Sequence, residues 1–159
     1  MQVSMIGLGK LGLPCAEKMS EKHTVKGYDV LPVDTQAISV MPSIKEAIEG
    51  SEIIFIAVPT PHDEEYDGRT PISELPTKDF NYSTVKEVLA EVRKHGHEDQ
   101  DVVLISTVLP GTTRKHFAEI MHGFNFIYNP IFSPQTYFFS INPISSRFRR
   151  LNINTFVPI

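Results

Sequence analysis

The sequence predicts an α/β fold built on a doubly wound parallel sheet, and three observations carry that prediction. Short apolar runs alternate with helical patterns through most of the 159 residues. The run at 52–58, Glu-Ile-Ile-Phe-Ile-Ala-Val, is continuously apolar after its first residue, as expected of a central parallel strand buried on both faces. A glycine-rich turn, Gly7-Leu8-Gly9-Lys10-Leu11-Gly12, separates the first apolar run from the first helical pattern, and an acid, Asp29, follows seventeen positions after Gly12. The length suits one domain with a proper core and is too short for two ordinary ones.

Taken in order, residues 3–6 read as a short buried strand, 11–22 as a helix and 23–29 as a second strand ending on Asp29. Residues 37–40 make a short third strand. Ser43-Ile44-Lys45-Glu46 is a capping box that opens a brief helix, and Gly50 can close it. The strong strand at 52–58 is followed by a long polar loop from Pro59 to about Lys78. The next helix carries Val85, Val88, Leu89 and Val92 at i, i+3, i+4 and i+7 and stops near Gly96. Residues 101–107 supply a fifth strand. Gly111-Thr112 opens another helix with Phe117, Ile120 and Met121 inward, closed by Gly123, and 124–128 gives a sixth strand. Six strands in this rhythm predict a Rossmann-type sheet of order 3-2-1-4-5-6 across residues 1–130.

The glycine turn has a chemical reading once it sits between a strand and a helix. Gly7 permits a tight turn, Gly9 lets the backbone approach a pyrophosphate, and Gly12 lets the helix pack on the sheet. The free N–H groups of Lys10, Leu11 and Gly12 and the positive end of the helix then face the phosphates. Asp29 can accept hydrogen bonds from both ribose hydroxyls. No cation follows it at Val30-Leu31-Pro32 to neutralise a 2′-phosphate, so the expected cofactor is NAD rather than NADP. The other reading is a glycine-rich turn in an unrelated α/β protein.

Composition narrows the remaining classes. A formal net charge of −4 argues against a nucleic-acid or anionic-membrane surface. No apolar run has the length of a bilayer span. One cysteine, Cys15, rules out an intrachain disulfide framework and suits a reducing cytoplasm; its place in the first helix reads as a small core residue. The spacing Asp63-x-Glu65-x-Asp67-Gly68 with Glu74 approaches a calcium-loop pattern. Position three is Glu, position nine is Pro71 and no flanking helices are evident, so a solvated acidic loop is expected. His95-Gly96-His97 has no companion ligands, and no metal site is expected.

From Ile120 to the end there is no Asp, Glu or Lys, and seven of the ten phenylalanines lie there, so the composition breaks. Residues 131–159 show no regular periodicity and read as an irregular apolar tail, not a second domain. Arg147, Arg149 and Arg150 within it could touch phosphate, although solubilising charge is the simpler reading.

The glycine turn with Leu13-Pro14 and Asp29, the segment Ile54-Phe55-Ile56-Ala57-Val58-Pro59-Thr60-Pro61, Asp79, the segment Ser106-Thr107-Val108-Leu109-Pro110-Gly111-Thr112 and Tyr128-Asn129-Pro130 together resemble the N-terminal NAD-binding domain of the UDP-glucose/GDP-mannose dehydrogenase family over about residues 3–130. Both loop segments fall at carboxyl ends of central strands, where open α/β sheets bind ligands. The resemblance adds Val58, Pro59, Thr60, Ser106 and Thr107 to the cofactor-binding set. The hydroxyls of Thr60, Ser106 and Thr107 could meet ribose, phosphate or an ordered water, or serve as ordinary turn caps. Thr107 resembles a family threonine that helps position a water near the reacting carbon.

The resemblance implies oxidation of the 6-hydroxymethyl group of a nucleotide sugar to a carboxylate, with two hydride transfers to two NAD molecules. The second step in the family uses a cysteine nucleophile from a C-terminal part that has no counterpart in these residues. Where the family has a glutamate after Asn-Pro, this chain has Ile131, which cannot move a proton. The expectation is therefore a truncated or frame-shifted remnant, or a cofactor domain whose catalytic partner is encoded separately and would bring the nucleotide sugar. Two alternatives stand beside it: a noncatalytic NAD-binding or assembly module, and the cofactor domain of a 3-hydroxyisobutyrate or 6-phosphogluconate type dehydrogenase. The Pro59-Thr60-Pro61 and 106–112 segments argue against the last.

Overall fold

A computed structural model describes residues 1–66 and 76–130. Within them six strands form one parallel sheet: β1 (Gln2–Ile6), β2 (Thr24–Tyr28), β3 (Ser39–Val40), β4 (Ile53–Ile56), β5 (Asp101–Leu104) and β6 (Asn125–Tyr128). Their order is β3-β2-β1-β4-β5-β6, with β1 at the centre pairing Val3 to Val25 on one side and to Ile53 on the other. Every pairing is parallel. The order reverses between β1 and its two flanks, which opens a crevice at the carboxyl ends of β1 and β4.

Alternate residues of the strands enter two cores. Ile54, Ile56, Val102 and Leu104 pack on one face with α2 (Ile44–Ile48), α3 (Ser83–His95), Phe117 and Met121. Val3, Met5, Val25, Ile53, Phe55 and Val103 pack on the other face with α1 (Gly12–Ser20). Burial on both faces is why β4 is apolar at every position. The sulfur of Cys15 lies in the second core, and burial pushes its thiol pKa up to about 11.

Local rules account for most boundaries. Ser43 caps α2 by accepting the Glu46 N–H at 3.2 Å, and its hydroxyl donates to the Glu46 carboxylate at 2.9 Å. Gly50 follows α2 at φ +74°, and Gly96 caps α3. The stripe Val85, Val88, Leu89 and Val92 is buried as its spacing predicts.

Three details differ from the sequence expectation. The third strand shrinks to Ser39–Val40, because both residues are exposed at the sheet edge and only Lys26 and Gly27 pair with them. The segment after Gly111 begins with a wide π turn, Thr113–Phe117, closed by Ala118 N–H on the Thr113 carbonyl at 2.9 Å. Phe117 and Met121 still point inward, while Ile120 is half-buried. Among its described residues, the polar loop after Pro59 contains one 3₁₀ turn, Glu64–Tyr66. The tail 131–159 with Ile131 and its arginines, and Asp67, Gly68, Pro71 and Glu74 of the calcium-like spacing, lie outside the described residues.

Candidate cofactor site at the carboxyl ends of β1, β4 and β5

The glycine turn leaves β1 and enters α1, and each glycine has a different physical reason. Gly7 adopts φ +92°, and a Cβ there would meet the Ala57 carbonyl oxygen at 2.6 Å. A Cβ on Gly12 would fall 1.8 Å from the Gly7 carbonyl oxygen, so the first turn of α1 sits directly on the loop. Gly9 differs: a Cβ there would meet no atom within 4 Å. Protein packing explains Gly7 and Gly12 but leaves Gly9 unexplained, as expected where a ligand must reach the backbone.

The N-terminus of α1 presents the complementary charge. Leu11 is the N-cap residue, and no side chain caps the first turn. Its N–H groups and the positive end of the helix suit an anion. Lys10 is exposed beside Gly9, whereas Leu11 packs partly against the core and orients the turn.

Asp29 follows β2 and is tied to the turn. Its Oδ2 accepts the Leu8 N–H at 2.6 Å and its Oδ1 accepts the Leu31 N–H at 2.9 Å. Each carboxylate oxygen keeps a lone-pair site for a further donor, so the carboxylate can brace the loop and still bind a diol. Val30 and Leu31 beside it are exposed at 83% and 70%, which gives this rim an apolar surface.

Two hydroxyls join the loops after β4 and β5. Ser106 is buried and donates to the Val58 carbonyl at 2.6 Å. Thr60 donates to the Thr107 carbonyl at 2.7 Å. The protons of both hydroxyls are thereby used in holding Val58-Pro59-Thr60 against Ser106-Thr107, as turn caps would be. The Thr107 hydroxyl has no partner among the described residues and is exposed on the crevice side of β5. The eleven residues expected at the cofactor, from Gly7 to Thr107, thus gather at one end of the sheet.

A second polar group, centred on Tyr82, was not apparent as a site from the sequence. Tyr82 donates to Asp79 Oδ1 at 2.5 Å and accepts the Leu109 N–H at 3.2 Å, with Thr112 Oγ1 at 3.2 Å. The Tyr82 hydroxyl holds the Asp79 carboxyl below the usual carboxylate range, with a smaller contribution from the Phe80 N–H and from His116. Burial, and then the bond to Asp79, raises the Tyr82 phenol. The i, i+3 spacing of Asp79 and Tyr82 was the available signal, but Leu109 and Thr112 join them only in three dimensions.

Among the described residues there is no group of three side chains able to hold a metal, and no helix long and apolar enough to cross a membrane.

The sequence model of the UDP-glucose/GDP-mannose dehydrogenase family, NAD binding domain, matches residues 32–136. The UDP-N-acetyl-D-glucosamine 6-dehydrogenase of Pseudomonas aeruginosa is 27% identical, over 79% of this chain and 32% of that protein. The chain therefore spans about a third of the length of this relative. Among solved structures, the GDP-mannose dehydrogenase of Pseudomonas aeruginosa in a ternary complex superposes with a TM-score of 0.62 at 24% identity, covering 83% of this chain and 36% of that one. The UDP-D-ManNAc dehydrogenase of Pyrococcus horikoshii gives a TM-score of 0.62 at 19% identity, covering 84% and 37%. These two likenesses establish the fold, and the family match, which begins after the glycine turn and Asp29, takes in both loop segments and β6. The chain belongs to the UDP-glucose/GDP-mannose dehydrogenase family, of which it forms the NAD-binding domain.

Proposed function

We propose that this chain is the cofactor half of a nucleotide-sugar 6-dehydrogenase. The observation that carries the reading is Gly9, the one glycine of the turn whose missing side chain no protein neighbour requires. The backbone at Gly9 and the N–H groups of Leu11 and Gly12 bind the pyrophosphate, with Lys10 adding a cation from the solvent side. Asp29 takes the ribose hydroxyls, and the apolar rim of Val30 and Leu31 favours NAD over NADP. Val58, Pro59, Thr60, Ser106 and Thr107 line the nicotinamide end. NAD, when bound, accepts a hydride from the carbinol carbon of the substrate. The Thr107 hydroxyl, exposed and without a partner among the described residues, holds a water at that end by donating to it or accepting from it.

The cysteine nucleophile of the family reaction is assigned to another part of the enzyme. Within the 159 residues the only thiol is Cys15, whose burial in α1 and raised pKa make it inert. Calorimetric titration with NADH tests the cofactor reading. Binding that is lost or cut at least about tenfold in Asp29→Ala is the expected result. No heat of binding for the unaltered chain would overturn it.

A second reading, a noncatalytic NAD-binding module, is favoured by Ile131 standing where the family has a glutamate. NADH formation from NAD with UDP-glucose or GDP-mannose separates the two. Turnover by the purified chain alone would exclude the second reading. Turnover only after a C-terminal half is added would favour the first.

A further inference from the structure

Tyr82 lies outside the glycine turn and outside both loop motifs, yet its hydroxyl ties the start of α3 to the loop that follows β5. A phenol has one proton to donate and two lone pairs to accept with. An ionised carboxylate can only accept, so the Tyr82 proton points to Asp79 Oδ1, 2.5 Å away. Its two lone pairs then take the Leu109 N–H and the Thr112 hydroxyl, both at 3.2 Å. The full capacity of the group is used, and two of its three bonds end on the loop that follows β5.

The ring has little freedom to move away. Tyr82 is buried at the start of α3, packed edge-on against Phe117 at 5.7 Å between centroids and tilted against His116 at 5.7 Å. Asp79 is fixed in turn by the Phe80 N–H at 2.9 Å and lies 3.7 Å from His116 Nε2. The near end of the loop is anchored to the loop after β4 through Ser106 and Thr60. Its far end, beyond Val108, is anchored by Tyr82. The only other side-chain hold on that half among the described residues is the longer contact of the Tyr128 hydroxyl with Val108, at 3.3 Å.

We propose that Tyr82, held by Asp79, is a positioning residue that sets the pose of the 106–112 loop and hence of Thr107 against the nicotinamide end of the cofactor. The inference rests on the reading of that loop as a wall of the NAD site. A residue that merely fills the core would act through its ring, whereas this role belongs to the hydroxyl alone.

The test uses the whole chain, NADH calorimetry and the fluorescence of the bound nicotinamide, which reports its surroundings. Tyr82→Phe keeps the ring and removes the bonds. Its NADH affinity is expected to fall about fivefold to tenfold, the worth of one or two hydrogen bonds, with a smaller emission change on binding. Asp79→Asn retains an oxygen that can accept the phenol proton and is expected to bind like the unaltered chain. Asp79→Ala is expected to behave as Tyr82→Phe does. Because Asp79 is partly exposed, this pair keeps the test open even if Tyr82→Phe folds poorly. Unaltered affinity and emission in both Tyr82→Phe and Asp79→Ala would overturn the inference while leaving the cofactor site intact. Absence of NADH binding by the unaltered chain would overturn both together.

Discussion

The hydroxyl of Thr60 donates to the backbone carbonyl of Thr107 at 2.7 Å, so the loops that end β4 and β5 are fastened to each other. One residue back, buried Ser106 makes the reciprocal tie to the Val58 carbonyl at 2.6 Å. The two bonds differ in exposure and therefore in worth. Ser106→Ala leaves a buried carbonyl unpaired and is expected to cost about 1–3 kcal/mol, against about 0.5–1.5 kcal/mol for Thr60→Ala, whose carbonyl partner water can reach. Urea unfolding monitored by circular dichroism gives both values. Equal losses for the two variants would contradict the assignment.

Gly9 and Gly12 make an opposed pair of predictions. Gly12→Ala places a methyl 1.8 Å from the Gly7 carbonyl oxygen, so the turn must rebuild and the melting temperature should drop sharply. Gly9→Ala meets no protein atom, and stability should stay within about 0.5 kcal/mol of the unaltered chain. Its NADH affinity should nevertheless collapse. Thermal melts with and without NADH read both effects in one experiment.

Asp79 gives the acid side of the stability curve a recognisable contribution. Its carboxyl titrates below the usual carboxylate range because the Tyr82 hydroxyl donates to the charged form. A depressed folded-state pKa stabilises the fold above the unfolded pKa and ceases to do so as pH falls through the folded value. The effect is small, since the side chain is 38% exposed and solvent screens it. In Asp79→Asn this part of the acid-side loss should vanish. Denaturant midpoints measured for both proteins from pH 6 down to about pH 3 supply the comparison.

Cys15 should be silent toward thiol reagents in the folded protein. Its pKa of about 11 leaves almost no thiolate at neutral pH, and the core blocks access. Modification by a chromogenic disulfide is expected only as fast as the chain unfolds, and at once in denaturant. Rapid labelling under native conditions would place the sulfur outside the core.

Much of this architecture was legible in the sequence because local signals and tertiary needs coincide. The run at 53–58 is apolar throughout because β4 is buried on both faces, and the stripe Val85–Val92 is spaced for one helical face. The glycine turn was legible because Gly7 and Gly12 answer to packing constraints set within a few residues. The π turn at Thr113–Phe117 was not, because its extra residue per turn follows from seating Phe117 in the core, and helix periodicity carries no mark of it. The hydroxyl ties were legible only as residue types. Which carbonyl Ser106 would meet, and whether Tyr82 would reach Leu109, depends on the crossing of segments that are 48 and 27 residues apart.

The central place of β1 governs how the domain can assemble. Its neighbours, β2 and β4, come from either side of a 24-residue gap in the chain, and β4 in turn waits for β5, with Asp101 opposite Ile53. A nascent chain that has emerged only as far as Ile56 can pair β1 fully but must leave β4 as a naked edge, open to foreign strands. Synthesis must advance almost fifty residues further before β5 covers it, so this edge stays open until the whole of the intervening loop and α3 has been made.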